Sequence, residues 1–162
     1  MSSTSPTLHL LCGKIAAGKS TLATHLSRMR GTVLISEDTW LAALFTSEMK
    51  TPSDYLRCSE KLRHAMEPHV VSLLNAGCSV VLDFPFNRVT ERTWARRILD
   101  QTNAAHELHV LNPSDEVCLA RLRARNALGD HPFATTEEQF HRFSKHFELP
   151  SPEEGFTLVL HD

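Results

Sequence analysis

Apolar residues recur along the chain in short runs separated by polar and glycine-containing stretches. Five runs have the length and β-branched content of strands: 7–12, 32–36, 78–83, 106–111 and 156–160. Between them, apolar positions fall three and four residues apart, the period of an amphipathic helix. That spacing predicts helices over 19–29, 53–75, 90–101, 115–128 and 135–147. A further helix is capped by Ser36 and carries Trp40, Leu41, Leu44 and Phe45. Gly31 and Gly77 stand just past helix ends, and Thr135-x-x-Glu138 has the form of a capping box. Pro68 falls inside 53–75 and is expected to kink or divide that helix. The run 32–36 reads as buried, whereas 106–111 is less apolar and is expected nearer a sheet edge.

Buried strands alternating with helices imply an α/β fold, a parallel sheet covered on both faces. No repeat, linker or low-complexity stretch interrupts the pattern, so one domain is expected over 1–162, with its core at about 7–160. Ligands of such sheets lie at the carboxyl ends of the strands.

The first strand ends in Gly13-Lys14-Ile15-Ala16-Ala17-Gly18-Lys19-Ser20, followed by Thr21. This is G-x-x-x-x-G-K-S between a strand and a helix, a phosphate-binding loop (Walker A). The glycines let successive N–H groups turn toward an anion, and the helix adds its positive dipole end. Lys19 supplies a charge for β- and γ-phosphates, and Ser20 a hydroxyl for Mg²⁺.

Charge and cysteines narrow the setting. The net charge is -2 and the pI about 6.5, which argues against broad nucleic-acid binding and against an anionic membrane surface. No run approaches the length of a membrane span, and no secretory leader is recognisable. The cysteines Cys12, Cys58, Cys78 and Cys118 show no C-x-x-C pair and read as small buried residues in a reducing, cytoplasmic compartment. The ten histidines show no ligand spacing and are expected on the surface.

Several side chains at strand ends can complete a phosphate site. Asp38 follows the second strand and can accept a proton from an acceptor hydroxyl, although Glu37 is equally placed. Asp83 closes the third strand, where a carboxylate can orient Mg²⁺ through water or make a local turn. Arg121 and Arg125 are one helical turn apart and can clamp phosphoryl charge, while Arg123 points elsewhere. The bland reading of all three is an exposed basic surface. Arg88 can meet an acceptor; Arg92, Arg96 and Arg97 read as a solvated helix face. Trp40, Phe84 and Phe86 flank the presumed cleft, with core packing the simpler reading of each.

Taken together, the loop, the Ser36-Glu37-Asp38 step, the Leu82-Asp83 strand end and the Arg121-Leu122-Arg123-Ala124-Arg125 helix resemble the P-loop kinases. Within them the chain is most similar to the small ATP-binding proteins grouped with zeta toxins and chloramphenicol phosphotransferase. The resemblance implies a three-layer P-loop NTPase fold with strand order 2-3-1-4-5 and a short lid at about 126–135. It implies ATP and Mg²⁺ as cofactors and Asp38 as the base. It also implies Arg121 and Arg125 as lid arginines, one near adenine and one on phosphate. Residues 82–88 are similar to an adenylate-kinase segment holding an acid near Mg²⁺ and an acceptor-binding Arg, but lack its Gly after the Asp and carry extra residues before Arg88.

The expectation is an ATP- and Mg²⁺-dependent phosphotransferase acting on a hydroxyl of a small molecule. Lys19, Asp38 and Arg125 would be catalytic, 13–21 with Arg121 and Arg125 would bind nucleotide, Asp38 and Arg88 would contact acceptor, and Ser20 and Asp83 would serve the metal. The alternatives are a polynucleotide 5′-hydroxyl kinase and a slow ATP-binding regulatory module.

Overall fold

A computed structural model describes residues 5–129 and 134–161. Five strands, β1 (Thr7–Cys12), β2 (Thr32–Ser36), β3 (Ser79–Asp83), β4 (Ala105–Leu111) and β5 (Leu158–His161), form one parallel sheet in the order β2-β3-β1-β4-β5. The helices are α1 (Lys19–Ser27), α2 (Glu37–Phe45), α3 (Pro52–Asn75), α4 (Val89–Leu99), α5 (Asp115–Leu128) and α6 (Glu137–Ser144). A 3₁₀ turn over Pro152–Glu154 precedes β5. The α/β class and the strand order are those expected.

Alternation along the central strands sends side chains to two covers. Leu8, Leu10, Val80, Leu82, Leu108 and Val110 pack with buried residues of α3 and α4. On the opposite face, Leu11 and Val81 meet Ala23 of α1, and Leu111 meets Cys118, Leu122 and Phe140 of α5 and α6. None of the described helices is long and apolar enough to cross a membrane.

Four local expectations are corrected. First, α3 runs unbroken through Pro68. Buried Cys58, Leu62, Met66, Val70 and Leu74 lie every four residues and hold the helix on both sides of the proline. Pro68 and His64, whose carbonyl loses its bond, are exposed, so water can serve that carbonyl. Second, β2 is an edge strand with Val33 and Leu34 each 36% exposed, and only Ile35 of its five residues is buried. Third, β4 is interior, between β1 and β5, despite its polar residues. Fourth, α6 begins one residue later than the sequence indicates, with Thr136 and Gln139 forming the capping box.

The solvated basic face expected on α4 is real only for Arg97. Arg92 is 1% exposed. Its guanidinium donates to Glu154 at 2.6 Å, to the Phe86 carbonyl at 3.0 Å and to the Glu148 carbonyl at 2.8 Å. The segment before β5 is thereby fastened to α4. Arg96 lies over the Phe156 ring, 4.5 Å from its centroid. A buried guanidinium deprived of its carboxylate is costly, whereas an exposed pair contributes little. Glu154→Ala is therefore expected to lower unfolding free energy by about 3 kcal/mol. Arg97→Ala, which removes the exposed pair with Glu67, should cost less than about 1 kcal/mol. Urea denaturation of the two variants would check this, and equal losses would contradict it.

Candidate functional site

The phosphate loop is built by close contact. A Cβ at Gly13 would stand 2.9 Å from the Leu111 carbonyl oxygen and 3.1 Å from the Ala17 Cβ, so only glycine fits. Its N–H donates to Asn87 Oδ1 at 2.8 Å. Ala16 and Gly18 both take positive φ, 62° and 105°, which curls the backbone before α1 begins at Lys19. Ile15, Ala16 and Ala17 seat the loop on the apolar cluster of α5 and α6.

Lys19 Nζ donates to the Gly13 carbonyl and, at 2.9 Å, to the Lys14 carbonyl, and is held within the loop. Burial lowers its pKa; the Asp83 carboxylate is the strongest opposing influence, and Asp38 also acts against the shift. Ser20 Oγ donates to Asp83 Oδ2 at 2.9 Å. Lys14 turns outward to Asp115 Oδ1 at 2.9 Å, 5.5 Å from the centroid of the Phe147 ring.

Arg121 Nη1 donates to the Ala17 carbonyl at 3.1 Å, so α5 reaches the loop directly. Arg125 is half-buried one turn further on, and Arg123 pairs with Glu137 on the surface. Beside the loop, Gly18, Thr21, Leu22, Pro113, Arg121 and His161 line much of a cavity of about 610 Å³. The expected lid at 126–135 lies partly outside the described residues; Asn126 Nδ2 donates to the Thr135 carbonyl at 2.6 Å.

Two adjacent carboxylates open α2 and differ sharply. Glu37 is buried, accepting hydrogen bonds from the Tyr55 hydroxyl and, at 2.7 Å, from Ser59 Oγ. Burial pushes its pKa up to about 7, against those two hydrogen bonds. Burial, and then Glu37 itself, hold the Tyr55 phenol well above its ordinary range, so it stays a donor. Asp38 is half-buried.

The structure thus gathers Gly13, Gly18, Lys19, Ser20, Asp83 and Arg121, with Asp38 in electrostatic reach of Lys19. Arg88 is exposed at the N-cap of α4, where its charge opposes the burial-driven rise of the Glu91 pKa. Phe84 and Phe86 are core residues packed on Trp94, while Trp40 is 38% exposed on α2. Sequence reading missed Asn87 and the Tyr55–Ser59 pair. The only signal for Asn87 was a polar residue in the loop after the third strand, and nothing local marks the other two.

The histidine expectation is also corrected. His9 and His109 are 4% and 3% exposed. His9 Nδ1 lies 3.0 Å from His109 Nε2, and His109 Nδ1 lies 2.9 Å from His161 Nε2. Parallel pairing aligns the three strands so that one polar row forms on a sheet face, which no spacing within a single segment reveals.

Comparison with known proteins agrees with the fold. The AAA domain family model AAA_33 matches residues 8–150. No curated protein matches the chain. Among solved structures, a candidate kinase from Chloroflexus aurantiacus j-10-fl is 19% identical with a TM-score of 0.78, over 99% of this chain and 87% of that one. The Mycobacterium tuberculosis APS kinase CysC, in complex with AMPPNP and APS, is 16% identical with a TM-score of 0.62, over 97% and 89%. The Pnkp1/Rnl/Hen1 RNA repair complex matches at 18% identity and a TM-score of 0.66, over 90% of this chain and 45% of that one. The chain belongs to the AAA_33 family of AAA domains and has the fold of the P-loop kinases.

Proposed function

We propose that this chain is an ATP- and Mg²⁺-dependent phosphotransferase that moves the γ-phosphoryl group to a hydroxyl of a small molecule. The observation that carries the reading is the curled glycine loop with Lys19 held by the Gly13 and Lys14 carbonyls and, beside it, Ser20 Oγ bonded to Asp83 Oδ2 at 2.9 Å. The Asp83 carboxylate, and more weakly Asp38, act on the Lys19 charge. Phosphoryl transfer needs little else from a protein than such positioned charge.

In this reading the loop amides and Lys19 bind the β- and γ-phosphates. The ribose and base occupy the 610 Å³ cavity beside Thr21 and Arg121, a volume within the usual range for small-molecule pockets. Asp38 orients the acceptor hydroxyl and takes its proton as the oxygen bonds to the γ-phosphorus. The bond to the β-phosphate oxygen breaks, and ADP leaves with that electron pair. Arg121 and Arg125 offset the charge spread over the transferred group, and Arg88 is a candidate acceptor contact. Ser20 and Asp83 fit Mg²⁺: two hard oxygen donors 2.9 Å apart suit an ion that keeps most of its waters. When bound, that ion neutralises phosphate charge. Four free thiols, three of them buried, support a reducing, cytoplasmic setting.

One observation favours the polynucleotide alternative. A cavity of about 650 Å³ on the α3–α4 side is lined by Arg57, Lys61, Arg63 and Arg97, with Glu60 among them, a mainly basic surface of the kind that tracks a nucleic-acid backbone. Mg-ATP turnover, read as ADP release, should therefore be measured against sugars, nucleosides, aminoglycosides, chloramphenicol and 5′-hydroxyl oligonucleotides. A small-molecule hydroxyl is expected to stimulate turnover. Asp38→Asn should remove about 10²- to 10⁴-fold of that stimulation while ATP affinity is kept. Stimulation by oligonucleotides alone would select the alternative, and an Asp38→Asn enzyme as fast as wild type would remove Asp38 from the chemistry.

Glu37, by contrast, is assigned to holding α2 on α3. Its folded pKa, about 7, lies above the ordinary glutamate value of 4.5. Between those values the folded state binds more protons than the unfolded one, so this group's contribution to stability falls as pH rises. Glu37→Gln is isosteric and does not titrate. It is expected to gain stability relative to wild type between pH 4.5 and 7, by up to about 3 kcal/mol. Urea unfolding at pH 5 and pH 8 would measure the difference; a pH-independent gap would contradict the assignment.

A further inference from the structure

On the α1 side of the sheet, away from the phosphate loop, β1 and β4 bring three donor atoms together. His9 Nδ1 and His109 Nε2 are 3.0 Å apart. Glu107 Oε2 is 3.6 Å from the first and 3.3 Å from the second. A four-coordinate ion with bonds of 2.0–2.1 Å holds its ligands about 3.3–3.4 Å apart. The three observed sides bracket that spacing. His9 is four residues before Gly13, about 13 Å along an extended strand, so this triangle is separate from the phosphate site.

Hydrogen bonding alone satisfies two sides of the triangle and not the third: if His9 Nδ1–H donates to His109 Nε2, Glu107 Oε2 still faces that acceptor at 3.3 Å. A carboxylate only accepts, and a neutral imidazole carries one N–H. If His109 Nδ1–H donates to His161 Nε2, at 2.9 Å, then His109 Nε2 presents a lone pair. With the His9 proton on Nε2, three lone pairs converge on one point. The outer contact to His161 takes the place that a carboxylate, carbonyl or water has behind a metal-bound imidazole, and it fixes the tautomer. The Glu107 side chain is 42% exposed, which leaves solvent access for a fourth ligand.

We infer that His9, His109 and Glu107 form a binding site for a Zn²⁺-class divalent cation, with His161 as the positioning residue behind His109. Two imidazoles and a carboxylate, without thiolate, suit zinc or a neighbouring first-row ion and not a hard cation such as Mg²⁺. The ion would bond β1 to β4 directly. Through His161 it would also tie in β5, whose last described residue lines the cavity beside Arg121.

The test uses the full chain without an affinity tag, stripped by a chelator and dialysed against zinc chloride alone. Wild type is expected to retain one zinc per chain by elemental analysis and to melt at a higher temperature with zinc present. His161→Phe should weaken zinc binding by about 10- to 100-fold, and Glu107→Gln by more. Glu107 is half-exposed, so that variant is expected to fold. His69→Gln, which changes an exposed histidine of α3, should bind as wild type. No uptake by wild type, or equal uptake by Glu107→Gln with loss in His69→Gln, would leave only a hydrogen-bonded row of histidines and overturn the site.

Discussion

The approach of Gly13 to the Leu111 carbonyl, too close for any Cβ, governs the geometry of the site. It locks the end of β1 against the end of β4, while the Gly13 N–H is held by Asn87 from the loop after β3. The phosphate loop is therefore positioned by three strand ends at once. Two residues of positive φ inside the loop turn its backbone before α1 begins. A turn on which so many elements bear has little freedom to relax, so its amides are arranged in advance.

Whatever depends on near neighbours in sequence was legible. Strand and helix positions follow apolar spacing, and the loop follows from Gly13, Gly18, Lys19 and Ser20, whose backbone demands are local. What depends on distant partners was not. Arg92 has the composition of a surface residue and is buried because Glu154, 62 residues later, meets it. The polar content of β4 resembled that of an edge strand. It became interior because His9 and His161, on the flanking strands, give His109 partners on both sides. Val33 and Leu34 looked like core residues and lie on an edge, since nothing in a run of five residues says which neighbour it will have.

The Glu37–Asp38 step shows the same limit inside the site. Both carboxylates stand in the first turn of α2 and both benefit from its dipole. Consecutive helical positions point about 100° apart, so one can enter the core while its neighbour does not. Tyr55 and Ser59, on α3, take Glu37 into the α2–α3 contact, while Asp38 stays half-buried. Which of the two carboxylates is buried is decided by two hydroxyls more than fifteen residues away.

The charged contacts around α5 extend this logic to the nucleotide side. Lys14 reaches Asp115 in the first turn of α5, and Arg121, nearly two turns later, reaches the Ala17 carbonyl. Two attachments along one helix fix its orientation as well as its distance, which a single bond would not. Arg125 continues the Arg121 face, so its placement relative to the loop is inherited from these contacts. Arg121 and Arg125 therefore stand on a helix already attached to the loop. Lys14, a loop residue that turns outward, supplies one of the two attachments.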